Sequence, residues 1–79
     1  MNKELYFKEL EITLGRSGFT SMPERDGFLS VKYEGSPLCR VDAGGSIFYN
    51  QDDVNTLERE SACRRVIDSA AIVQEYMAF

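Results

Sequence analysis

The chain contains no histidine and no tryptophan. Without histidine, the usual general base near neutral pH and the commonest metal ligand are both missing. Ser-His and Cys-His nucleophile pairs are excluded with it. Cysteine is scarce: Cys39 and Cys63 lie 24 positions apart and match no CxxC or zinc-ligand spacing. The longest apolar run is about four residues (Ala70 to Val73), far below the ~20 that a membrane span requires. The opening Met1-Asn2-Lys3-Glu4-Leu5 offers no apolar stretch of the secretory kind. These absences lead to the expectation of a soluble, cytoplasmic protein. Its two thiols should be reduced, buried as small hydrophobes and not bonded to each other.

What remains is ordinary for a globular chain. Seventy-nine residues, 43% hydrophobic and 28% charged, give room for one domain and little support for disorder. The net charge is −4, and its excess is local. Residues 1–27 carry 4 basic and 5 acidic side chains, residues 28–51 carry 2 and 2, and residues 52–79 carry 3 and 6. Such a chain lacks the basic stripe of a direct nucleic-acid binder. Its acidic surface suits either solubility or a basic partner, including a protein groove that normally holds nucleic acid.

Along the chain, Leu10-Glu11-Ile12-Thr13-Leu14 alternates apolar and polar, the pattern of a half-buried strand. Leu5 to Glu9 would either extend that strand or form a short helical turn. Gly15 to Gly18 breaks the pattern, and residues up to Gly27 read as a long loop. Phe28 to Glu34 resumes the alternation, with Leu29, Val31 and Tyr33 on one face. Gly35-Ser36-Pro37 reads as a turn, and Leu38 to Asp42 as the next strand, with Cys39 and Val41 facing together. Ala43-Gly44-Gly45-Ser46 is a hairpin signal, leading into a short strand at Ile47-Phe48-Tyr49. The last segment is helical from about Leu57 to Met77. Asn55 is its expected N-cap, with Glu58 at the third position. Cys63, Val66, Ile67, Ala70, Val73 and Met77 form its apolar stripe. Glu60, Arg64 and Asp68 stand four apart on its outside, spaced for ion pairs.

The expected fold is therefore α+β: an antiparallel three- to four-stranded β-meander covered on one face by a C-terminal α-helix. It divides a single domain, 1–79, into an N-terminal strand and loop (1–27), a meander (28–50) and a helix (55–78). The N-terminal strand adds at an edge.

Few constellations suggest chemistry. Asp52-Asp53, with Asp42 nearby, is the only adjacent acid pair, but it fits no EF-hand loop, and helix-end electrostatics explain it. Gly44-Gly45 precedes a strand, not a phosphate-holding helix. Arg64-Arg65 is an isolated basic pair that suits a solvated face. No catalytic residue, metal or cofactor is expected. Ile72, Tyr76 and Phe79 are different: they recur at helical spacing but away from the core stripe. Three large apolar side chains there suggest a contact surface, unless the helix frays or the N-terminal segment covers them.

Val31-Lys32-Tyr33-Glu34-Gly35-Ser36-Pro37-Leu38-Cys39-Arg40-Val41-Asp42, Asp52-Asp53-Val54-Asn55 and Val73-Gln74-Glu75-Tyr76-Met77 together carry a resemblance. They resemble a family of small domains of unknown function encoded on conjugative and other mobile elements of gut Firmicutes. Those domains occur alone or attached to large polyvalent proteins, and the resemblance covers roughly residues 28–77. It implies a mobile-element gene in a bacterial cell, and no catalytic motif travels with it. In that setting the expected function is a non-enzymatic, partner-binding accessory protein. Most concretely, it would inhibit a host nucleic-acid-processing defence complex in the anti-CRISPR manner. Asp52, Asp53, Glu58 and Glu60 would meet basic side chains, and Ile72, Tyr76 and Phe79 would anchor. The alternative is a structural or assembly module, a homodimer, serving conjugation or element maintenance.

Overall fold

The computed structural model describes residues 3–77. Helix α1 (Lys3–Arg16) leads into strands β1 (Phe19–Pro23), β2 (Leu29–Tyr33), β3 (Ser36–Val41) and β4 (Ile47–Phe48). A 3-10 turn (Gln51–Asp53) and helix α2 (Leu57–Met77) follow. The strands form one antiparallel sheet in the order β1-β2-β3-β4, a meander as expected. Both helices lie on one face of it, with α1 over β1, α2 over β3 and the two packed against each other.

The N-terminal third departs from the sequence expectation. Leu10 to Leu14 is helical, not a strand. Tyr6, Phe7, Leu10 and Leu14 are all buried, and their steps of one, three and four residues describe one face of a helix. The strand reading put Ile12 in the core with Leu10 and Leu14, yet Ile12 is 45% exposed while both leucines are fully covered. Thr13, an indifferent helix former, donates its hydroxyl to the Glu9 carbonyl at 2.9 Å. Gly18, at φ +89°, takes the left-handed conformation that ends the helix. The expected loop then splits into β1 and a tight turn. The edge strand is present, at Phe19–Pro23 rather than at Leu10–Leu14.

The two turns at one end of the sheet use the same bonding. Glu24 N–H donates to the Phe28 carbonyl and Gly27 N–H to the Glu24 carbonyl. Asp42 N–H donates to Ser46 and Gly45 N–H to Asp42 in the same relation. Each closes a three-residue loop whose last residue, Gly27 or Gly45, has positive φ, near 88° and 86°. Asp42 Oδ1 adds bonds from Gly44 and Ser46 at 3.0 and 2.8 Å. The β2–β3 turn sits one residue earlier than its sequence suggests. Tyr33 pairs with Ser36 around Glu34-Gly35, so Ser36 and Pro37 belong to β3. Pro37 is tolerated because β4 reaches only Arg40 and Val41, leaving that end of β3 an edge. Beside it, a bulge lets the consecutive residues Leu38 and Cys39 both be buried.

Glu34 has φ +53°, a left-handed conformation that a side chain with a Cβ adopts at a penalty. Asparagine suits this first position of a primed turn. Glu34→Asn is expected to raise stability by about 0.5–1 kcal/mol, read from the midpoint of urea unfolding at unchanged slope.

The core joins all the layers: Tyr6, Leu10 and Leu14 from α1, Leu29, Val31, Leu38 and Val41 from the sheet, and Val66 from α2 are its largest fully buried side chains. In α2 the buried stripe is Ala62, Cys63, Val66, Ser69, Ala70 and Val73, with Met77 partly covered. Ile67, expected in the stripe, lies on its margin and is about half exposed. The cap is Thr56, not Asn55: its hydroxyl accepts the Arg59 amide at 3.1 Å. Threonine one residue later meets the amide three positions on, the reach an N-cap needs.

Candidate functional site

Helix α2 starts with a basic clamp that its sequence does not advertise. Arg59 donates through Nε to the Asp53 carbonyl and through a terminal nitrogen to the Pro37 carbonyl, the latter at 2.5 Å. Its guanidinium also stands 5.9 Å from the Tyr33 ring centre. Six residues on, Arg65 lies 4.9 Å over the Phe19 ring and donates to the Ser17 carbonyl at 3.4 Å. Two of the three arginines in residues 52–79 are thus laid against backbone carbonyls and aromatic rings.

That leaves Arg64 as the one remaining cation of the stretch, beside Glu60 and Asp68. Among the described residues the one ion pair is Arg40–Asp26 at 3.0 Å, so the Glu60-Arg64-Asp68 ladder is not closed into ion pairs. The chain positions these acids around a groove of about 340 Å³ between β4, the 3-10 turn and α2. Val54 and Cys63 are its buried members, and Tyr49 and Ile67 are its half-exposed apolar walls. Glu60 and Asp68 line it from α2, with Arg64 between them. Val54 is held there because its amide and that of Asp53 close the 3-10 turn onto Gln51 and Asn50.

The acids singled out in the sequence do not share one surface. Glu60 lines this groove. Asp53, half-buried, lines a separate hollow of about 270 Å³ on the sheet, while Asp52 is exposed on the turn between them. Glu58 points elsewhere and accepts the Tyr33 hydroxyl at 2.7 Å. That bond chiefly, with some burial and the nearby carboxylates, raises the Tyr33 phenol above its ordinary value. Ile72 and Tyr76 are 62% and 66% exposed, one and two turns beyond Asp68 along α2 and not among the groove's lining, whereas Phe79 lies outside the described residues. Asp68 and Tyr49 join the candidate site from the structure. Spacing four beyond Arg64 marks Asp68 in the sequence, but nothing there marks Tyr49.

The open face of the sheet is a second surface. Arg40 lies 4.4 Å over the Phe28 ring, which meets Phe48 edge-on at 5.5 Å. The cation is already matched by Asp26, so this face presents little net charge. Nowhere among the described residues do three histidine, cysteine or acidic side chains converge as metal ligands. No helix of the described residues is long and apolar enough to cross a membrane.

Cys39 and Cys63 are both free and buried, as their positions on apolar faces predict. Cys39 belongs to β3 and Cys63 to the buried stripe of α2. Burial first, then the neighbouring sulfur, pushes the Cys39 thiol up to about 12. Burial raises Cys63 as well, partly offset by Cys39.

No known protein family, curated protein or solved structure matches this chain.

Proposed function

We propose that the protein is a non-enzymatic, partner-binding accessory protein of a mobile element, whose acidic groove on α2 takes a basic segment of another protein. The observation that carries this reading is the groove lining, where Glu60 and Asp68 flank the single cation Arg64 beside the apolar walls of Tyr49 and Ile67, while Arg59 and Arg65 are engaged by carbonyls and rings. A basic side chain with an apolar stem fits such a lining, the charge complementing the rim and the stem the walls. Tyr49 supplies an aromatic anchor of the kind that dominates binding energy in interfaces. The resemblance to mobile-element domains makes the concrete partner a nucleic-acid-processing defence complex, inhibited in the anti-CRISPR manner by occupation of its basic groove.

The test is titration of the purified protein against CRISPR effector complexes and, separately, against labelled single-stranded DNA. Binding to a complex, competition with its DNA and no binding to DNA alone are expected. Glu60→Lys combined with Asp68→Lys should weaken that binding by about 10-fold or more without lowering the melting temperature. Unchanged affinity in the double variant would remove the groove from the interface.

The exposure of Ile72 and Tyr76 favours a second reading, a homodimeric assembly module. Light scattering across micromolar concentrations separates the two. A dimer dispersed by Ile72→Glu with Tyr76→Glu supports the assembly module; a monomer at all concentrations rules it out.

A further inference from the structure

We propose that the free edge of β1 is a docking strip for an extended segment of another protein, which joins the sheet as a further, antiparallel strand. This surface is separate from the α2 groove, and the proposal does not depend on that groove. The ladder shows which backbone groups are open. Glu24 N–H donates to the Phe28 carbonyl at 2.8 Å, and β1 and β2 then pair without a shift in register. Along an antiparallel strand the N–H and C=O groups point alternately to either side, so Met22 and Thr20 bond β2 as Glu24 does. Phe19, Ser21 and Pro23 therefore turn theirs away from it. Pro23, which has no N–H to give, stands at one of these outward positions, where an edge strand accommodates proline. Among the described residues nothing takes up the outward groups of Phe19 and Ser21. Phe19 to Met22 also carries neither charge nor bulge, two common protections of an exposed edge. An added antiparallel strand exchanges both bonds with Ser21 and with Phe19, and donates one more to the Pro23 carbonyl.

The surroundings of the strip define its occupant. A hollow of about 470 Å³ runs from the edge onto the open face of the sheet, lined by Thr20, Ser21, Met22, Glu24, Ser30 and Lys32. Met22, 63% exposed, is its apolar centre. Glu24 follows the Pro23 end of the strand, and Lys32 pairs with Thr20 toward the other end. Neither charge is in an ion pair among the described residues. An antiparallel segment matches this lining when it carries, at alternate positions from its N-terminal end, a basic, an apolar and an acidic side chain. A second copy of this chain does not fit. Antiparallel pairing of two β1 strands puts both copies' helices on the same face, and α1 lies over β1. The strands would stand ~4.8 Å apart, whereas packed helices need about 8–10 Å. A lone strand brings no helix with it.

The experiment titrates the full, isotopically labelled chain with the end-blocked peptide Lys-Thr-Val-Thr-Glu-Thr and follows its amides by nuclear magnetic resonance. In the free chain the Thr20 and Met22 amides should exchange slowly and those of Phe19 and Ser21 fast. Peptide should shift the Phe19 and Ser21 signals and protect both amides. N-methylation of the second threonine, which meets Ser21, should weaken binding by about tenfold or more; N-methylation of the valine, whose N–H points away, should not. Ser21→Pro removes an outward N–H without touching the β2 ladder, and should weaken binding similarly at a nearly unchanged melting temperature. Exchanging the peptide's lysine and glutamate should also weaken it, by about threefold or more. Glu60→Lys with Asp68→Lys should bind the peptide as the unmodified chain does, which separates this strip from the α2 groove. Shifts centred on Glu60 and Asp68, equal binding of the two methylated peptides, no shift at millimolar peptide, or a dimer of the chain alone dispersed by Ser21→Pro would each overturn the proposal. The methylated peptides decide it on the unmodified chain even where Ser21→Pro folds poorly.

Discussion

Leu14→Ala is expected to lower the free energy of unfolding by about 3 kcal/mol, the largest effect foreseen for any single change here. Leu14 is fully buried in the last turn of α1, and removing its isobutyl group leaves a cavity among α1, α2 and the sheet. In a small domain that is a large share of the total stability. The adjacent control is Ile12→Ala. Ile12 is about half exposed on the outer side of the same helix, and its loss should change stability by under ~0.5 kcal/mol. Urea titrations of the two variants decide between α1 as a core element and an edge strand through Leu10 to Leu14. A strand would bury Ile12 with Leu14 and make the two losses similar.

Arg59→Met is expected to be next in size, at about 2 kcal/mol. Methionine keeps the apolar stem but abandons the carbonyls of Asp53 and Pro37, two segments that Arg59 ties to the start of α2. The exposed bond to Pro37 contributes less than the partly buried one to Asp53, because water replaces it readily. Arg59→Lys should recover only part of the loss, since a point-like ammonium does not span both carbonyls as a planar fork does. Chemical denaturation of both variants checks this. A loss below ~0.5 kcal/mol for the methionine variant would mean that the clamp is merely a surface contact.

The meander and α2 were legible because their patterns are long or bounded. Leu29, Val31 and Tyr33 alternate without ambiguity, and the stripe from Cys63 to Val73 runs for several turns. Helix α1 was not, because five residues of Leu-Glu-Ile-Thr-Leu satisfy both periods. Leu10 and Leu14 are two apart from Ile12 and four apart from each other. Only the inclusion of Tyr6 and Phe7, which continue the helical face and not the strand face, separates the readings. Strand β1 was hidden by its serine, threonine and proline, and it exists because β2 gives it a ladder to join. The candidate groove was half legible. Its acids and Arg64 stand in sequence, but the placement of Arg59 and Arg65 elsewhere is set by carbonyls 6, 22 and 48 residues away.

The pairing of α1 with α2 has a further bearing on how the chain divides. Every strand contact is made between neighbours in sequence, across turns of two or three residues, whereas the helices meet from opposite ends of the chain. A cut anywhere between them yields one piece with α1 and an uncovered sheet, or one with α2 and too few strands to receive it. Loop closure for the helix pair spans the whole meander, so their contact rewards the chain only once the strands have shortened the distance. The first and last elements are each other's missing wall. The smallest cooperative unit is therefore the α1-to-α2 span itself, with no autonomous half.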